Sequence, residues 1–196
     1  MARAGRLRGI RARDVALVIG LVLAFVAVAV KEQAPGTGGR LVGAARVVDG
    51  DTLAFGERRV RLLGIDAPER GQMCWRDTVP RDCGRAATAA LTALIDGKTV
   101  TCDLEGEDRY RRALGRCFDA AGRDLNAVLV RSGMAVAFGA YVAEERAAAA
   151  ERAGIWSGDF DRPRDFRLRQ GGLDEGPHLP GGWLAPLWQW LSGEAG

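Results

Sequence analysis

The sequence predicts an α+β domain: a small closed barrel of five strands with three helices packed on it, preceded by a hydrophobic helix at the N-terminus. Three observations carry that reading. Short runs rich in Val, Leu and Ile alternate with Asp-Gly and Gly-Glu turns over residues 41–65. From Arg85 the apolar period changes to that of a helix. Two more apolar runs, 98–104 and 113–119, then flank a short arginine-rich stretch.

Taken in order, residues 15–30 contain no charge and follow five arginines, Arg3, Arg6, Arg8, Arg11 and Arg13. Sixteen apolar residues lie just under the ~17 needed at the short end to span a bilayer. The basic flank predicts a retained membrane anchor, and Ala27-Val28-Ala29 offers the competing reading of a cleaved signal peptide. Either way the rest of the chain is exported, membrane-anchored in the first case and secreted in the second. The predicted organisation is therefore an anchor over 1–33, a Gly-rich linker over 34–40, a folded domain over 41–167 and a Gly/Pro/Trp-rich tail over 168–196. Trp183, Trp188 and Trp190 suit a membrane interface or a docked tail, in a stretch too short to span.

Within the domain, 41–48, 52–55 and 59–65 read as an antiparallel meander. Residues 69–82 show little periodicity. Ala87, Ala90, Leu91, Leu94 and Ile95 mark the first helix, stopped at Asp96-Gly97. Asp124 caps a second helix that ends at Gly133, and 144–153 is an Ala-rich third.

The net charge of +3 is unevenly placed: residues 1–35 carry +4, leaving the remainder at −1. Such a body does not coat polyanions nonspecifically, so contacts with nucleic acid must come from a few placed arginines. Cys74, Cys83, Cys102 and Cys117 lack the close pairs of common zinc sites and fit disulfides in an oxidising compartment. Four cysteines allow three pairings. A Cys74–Cys83 bond would pin a loop. If Cys102 faces Cys117, the midpoint of their hairpin falls between Arg109 and Tyr110, putting residues 108–112 on its tip.

The single histidine, His178, lies in the Gly/Pro-rich tail, which excludes a histidine triad or histidine metal cluster in the body. Chemistry is left to Asp49, Asp51, Asp66 and Glu69, with Arg61 between them and Arg112 on the hairpin tip. Clustered acids call for a hard cation, and paired guanidiniums suit a phosphate. Together they are what phosphodiester hydrolysis requires.

Asp49-Gly50-Asp51-Thr52, then residues 61–69 (RLLGIDAPE), then 108–116 (DRYRRALGR), then Gly154-Ile155-Trp156, resemble the staphylococcal nuclease (thermonuclease) family in order and spacing. The resemblance covers residues 41–167 and implies an OB-fold barrel, Ca2+, and DNA or RNA as substrate. It implies Asp51, Asp66 and the main chain of Ala67 as calcium ligands, and Asp49 as a supporting acid. Glu69 matches the general base, and Arg61 and Arg112 the pair that stabilises the transition state. Arg109 and Tyr110 match substrate contacts. The family's glycine before the catalytic arginine is Arg111 here, the adjoining small residue is Ala113, and its later tyrosine pair is replaced by Phe138 and Tyr141. A Cys74–Cys83 loop is typical of exported relatives. The expected protein is a monomeric, membrane-held Ca2+-dependent nuclease; the alternative is a non-catalytic OB-fold module that binds nucleic acid or protein.

Overall fold

The turn at Gly50 shows how closely this chain is packed: a side chain there would press on the methyl groups of Ala67 and Ala87, each 2.8 Å from where its Cβ would stand. The computed structural model describes Gly20 and residues 38–178. The expected N-terminal helix, most of the linker and the tryptophan tail lie outside the described residues. Among the described residues, no helix is long and apolar enough to cross a membrane.

Strands β1 (Arg40–Ala44), β2 (Arg46–Asp49), β3 (Thr52–Phe55) and β4 (Arg58–Leu62) begin the domain. Two residues of β5 (Ile65–Asp66) follow, then β6 (Met73–Arg76) and β7 (Val79–Asp82). Helix α1 (Cys83–Ile95) leads to the hairpin β8 (Thr99–Glu107) and β9 (Ala113–Phe118). The chain continues through α2 (Leu125–Arg131), β10 (Val136–Ala137), α3 (Val142–Ala150), a 3-10 turn at Gly154–Ser157 and α4 (Pro163–Arg169).

Six strands form one curled sheet in the order β1-β8-β9-β4-β3-β2. This corrects the expected closed five-stranded barrel. A single residue, Ala45, breaks the first run into two edge strands, one pairing only with β8 and the other only with β3. The ladder therefore ends at both edges and leaves a half-barrel. A bulge between Val47 and Asp49 bends β2 at the acidic turn. Within the expected meander, β2–β3 and β3–β4 pair antiparallel; beyond it, β4 runs parallel to β9, pairing Val60 with Ala113 and Leu62 with Gly115.

Leu53, Val60, Leu62, Val100 and Leu104 line the inner face of the sheet, against Leu91 and Ile95 of α1 and Leu125 and Leu129 of α2. The expected stripe on α1 is the buried one, and Asp96 ends the helix in the left-handed conformation. Asp124 caps α2 by accepting from the amide of Ala127 at 3.0 Å. Buried Asn126 then ties three elements together: its amide nitrogen donates to the carbonyls of Leu63 and Gly115, and its oxygen accepts from the amide of Cys117.

Both disulfides form, Cys74–Cys83 and Cys102–Cys117. Cys102 stands opposite Cys117 in the β8–β9 register, as the hairpin reading required. Residues 73–82, expected to be irregular, are a β6–β7 hairpin whose turn residues, Asp77 and Thr78, both have positive φ. Four helices are described where three were expected. Helix α4 has only seven residues, too few to show an apolar period, but Pro163 starts it in the position where a missing N–H is harmless.

Candidate active site

Parallel pairing of β4 with β9 assembles the site. Arg61 is the penultimate residue of β4, and Arg112 immediately precedes the residue of β9 that pairs with Val60. The Asp49-Gly50-Asp51 turn opens β3, which lies on the other side of β4. Asp66 follows β4 on β5. Acids and arginines from separate parts of the chain thus reach one rim of the sheet.

Asp49, Asp51, Arg61, Ala67, Glu69, Tyr110 and Arg112 line one cavity of about 220 Å³, together with Arg167 and Glu175. Asp66, fully buried, is bound to two of its arginines. All the expected catalytic and metal-site residues are therefore together. Arg109 is not in the lining; its guanidinium donates to the main-chain carbonyl of Asp174 at 2.6 Å. Tyr110 is half exposed, with the Arg112 guanidinium 5.2 Å from its ring centroid. Phe138 and Tyr141 serve the scaffold. Phe138 meets His178 edge-on, and the Tyr141 hydroxyl donates to Asp124 at 2.9 Å.

Asp51 is held from several sides. One carboxylate oxygen accepts from the Thr52 hydroxyl at 3.1 Å; the other accepts from the Ala67 amide at 3.2 Å and faces Arg61 at 3.1 Å. Burial works against its charge, but Arg61 and these hydrogen bonds outweigh burial and hold the carboxyl below the usual range. Asp49 accepts from the Asp51 amide at 3.2 Å. Burial, then the charge of Asp51, push Asp49 up to about 6. Burial also lifts Asp66 to about 6, despite hydrogen bonds from Arg167. Arg61, only 4% exposed, is desolvated too, yet Asp51, Asp66 and Glu175 raise its pKa.

The hairpin tip is organised by Asp108. One of its oxygens accepts from the amides of Tyr110 and Arg112, and the other from Arg112 Nε at 2.6 Å. Arg111 takes a positive φ of 61°, so the tip keeps the turn a glycine would make and carries some strain. Gly84, in the first turn of α1, lies so close to the carbonyl of Glu69 that a Cβ has no room. Buried Gln72 accepts from the Glu69 amide at 3.0 Å and donates to the Asp161 carbonyl at 2.7 Å.

The sequence assigned no role to Arg167, Glu175, Gln72 or Asp108, the last seen only as part of the hairpin-tip motif. Arg167 Nη1 donates to both Asp66 and Glu69 at 2.7 Å, and Nη2 donates to Asp66 at 3.0 Å. Glu175, from the stretch expected to be tail, is 6% exposed and stands 3.8 Å from Arg112 and 4.0 Å from Arg61. No local pattern marks Arg167, which lies 101 residues from Asp66 in sequence, or Glu175, which reaches its arginines from the stretch after α4.

A divalent cation fits the donor chemistry. The candidate ligands are oxygens alone, as a hard cation prefers. Six carboxylates, Asp49, Asp51, Asp66, Glu69, Glu175 and the Asp108 that binds Arg112, face three guanidiniums, Arg61, Arg112 and Arg167, leaving three negative charges uncompensated. Among the described residues no ready-made cage of three acids is present, because arginines hold the Asp66 oxygens.

The fold and rim define an α+β domain presenting acids and arginines together at one end of a curled sheet. A family model described as staphylococcal nuclease homologue matches residues 59–158, and the chain belongs to that family. It is 38% identical over 123 residues to the succinoglycan biosynthesis protein ExoI of Rhizobium meliloti, a match covering 59% of this chain and 64% of that relative. An uncharacterized endonuclease of Escherichia coli O157:H7 is 35% identical over 129 residues, covering 61% and 76% of the two chains. The staphylococcal-like nuclease CAN1 of Arabidopsis thaliana is 29% identical over 121 residues, covering 58% of this chain and 34% of that one.

Proposed function

We propose that this protein is a Ca2+-dependent nuclease that hydrolyses phosphodiester bonds of DNA, RNA or both. The observation that carries the reading is the meeting of Asp51, Arg61, Glu69 and Arg112 in one cavity, with Asp66 against it. Asp51, Asp66 and the main chain of Ala67 would hold calcium, which when bound supplies Lewis-acid polarisation of a phosphate oxygen. Arg61 and Arg112 clamp the phosphate from two sides, and their fixed charges offset the negative charge that grows on it. Glu69 takes a proton from the attacking water. Asp49 orients the turn that presents Asp51. Tyr110 offers a ring face to a neighbouring base or sugar, and Arg109 a charge to the next phosphate.

The decisive assay is nicking of plasmid DNA, with RNA in parallel, in calcium, in EDTA, and with Glu69→Ala. Calcium-dependent cleavage lost in the variant supports the mechanism; metal-independent or unaffected cleavage overturns it. Binding without turnover in calcium would instead favour the non-catalytic OB-fold module. Two disulfides in the domain support export to an oxidising compartment, with residues 1–33 as anchor. N-terminal sequencing of the exported protein tests this, since a mature start at Val30 would mean cleavage rather than anchoring.

A further inference from the structure

After α4 the chain turns at Gly171, and residues 173–178 bring two successive residues against the substrate-side arginines. The Asp174 carbonyl accepts from Arg109, and the Glu175 carboxylate lies between Arg61 and Arg112. One turn of chain earlier, Arg167 grips Asp66 and Glu69. We propose that α4 and the segment after it are an internal competitor for the active site. Arg167 stands in for the metal's charge at the acids, and Glu175 stands in for the phosphate between the arginines. This rests on the nuclease reading above. Substrate enters only as the segment leaves.

The contacts have the character of an exchangeable ligand. Separations of 3.8 and 4.0 Å are too long for hydrogen bonds, and Glu175 Oε2 has no hydrogen-bond partner in the described structure although it is buried. A carboxylate seated for stability alone would make the bidentate contact that Asp174 makes with Arg164, with both bonds 2.6 Å. Nor is the strap held firmly. Its fixed points are the Arg164–Asp174 pair, itself about half exposed, the Arg109 bond, and His178, whose amide donates to the Phe138 carbonyl at 3.1 Å and whose ring meets Phe138 edge-on. Leu173, its one large aliphatic residue, is exposed. Exposed ion pairs and little apolar burial give low local stability, so a polyanion can lift the strap without unfolding the domain.

The test uses the full chain and two probes, inorganic phosphate and a fluorescein-labelled single-stranded DNA oligomer in EDTA. Glu175→Gln keeps shape and removes charge. It should tighten both probes by about fivefold or more, the range of a modest coupling between competing ligands. Arg164→Gln, outside the cavity, frees Asp174 and should act in the same direction. In the wild type, phosphate should speed hydrogen exchange of the His178 amide. Affinities unchanged or weakened in Glu175→Gln, or His178 exchange indifferent to phosphate, overturn the proposal. If DNA is cleaved while phosphate affinity ignores Glu175, the competitor fails and the nuclease stands. If phosphate displaces the strap but no nucleic acid is cut, the nuclease reading fails instead.

Discussion

Replacing Arg61 by methionine removes one buried charge while keeping the length of its stem. In the structure its NH2 group lies 2.7 Å from Asp66 and 3.1 Å from Asp51, and its side chain is 4% exposed. Removing one partner of a buried ion pair costs about 3–5 kcal/mol, because the remaining charge is left without compensation. Here the acids are not left bare: Asp66 keeps Arg167, and Asp51 keeps the Ala67 amide and the Thr52 hydroxyl. The expected loss is therefore at the low end, about 3 kcal/mol, or about 10 °C in Tm for a domain of this size. The variant also gains one uncompensated negative charge in the cavity. At one fixed calcium concentration, tighter binding should consequently stabilise it more than the wild type, by about 1.4 kcal/mol for each tenfold fall in Kd once both are saturated. Thermal unfolding of both proteins, with EDTA and with calcium, measures this directly. A variant melting within about 2 °C of the wild type, or a calcium shift no larger than the wild type's, would refute the electrostatic account of the site.

Three further outcomes follow from the same geometry. Asp49 and Asp66 are raised to about 6, so between that value and their ordinary range the folded state holds more protons than the unfolded one. Without metal, stability should rise by about 1–3 kcal/mol as pH falls from ~7 to ~5. Calcium, which favours the charged acids, should flatten that rise in urea titrations across pH. Gly84→Ala pushes a methyl group into the Glu69 carbonyl. It should destabilise by about 1–3 kcal/mol, by overpacking, and lower kcat on DNA more than it raises KM. Asn126→Leu takes the side-chain partner from the Leu63 carbonyl and the Cys117 amide in the core, while the Gly115 carbonyl keeps the Leu63 amide at 2.8 Å. A loss of about 2–4 kcal/mol in urea unfolding is expected, with no change in the two disulfides on nonreducing gels.

Much of the site was legible because its parts are local. Asp51 directly precedes β3 and Arg61 lies on the neighbouring β4, the two strands joined by a short turn, and Asp66 follows a few residues later. Their pattern of apolar runs ending in acids places them on one rim whatever the rest of the chain does. The Cys102–Cys117 midpoint likewise located the tip that carries Arg112, since an antiparallel register fixes which residues face each other. Helix α1 was readable from its period alone. Other features had no such signal. The parallel pairing of β4 with β9 depends on how the hairpin docks, and the break at Ala45 that leaves the sheet open is a single residue among apolar neighbours. Helix α4 is too short to show a stripe.

By itself, then, the sequence determined the chemistry available: carboxylates, arginines, no usable histidine in the body, and the local geometry that presents them. Only the tertiary structure decided what those groups face. Arg167 reaches Asp66 across 101 residues of sequence, and Glu175 comes to the two clamp arginines from a stretch that composition alone marks as tail. Such pairings are set by packing and long-range electrostatics rather than by periodicity. That is why the acids and arginines of the candidate site could be read from the sequence, while the side chains that fill it could not.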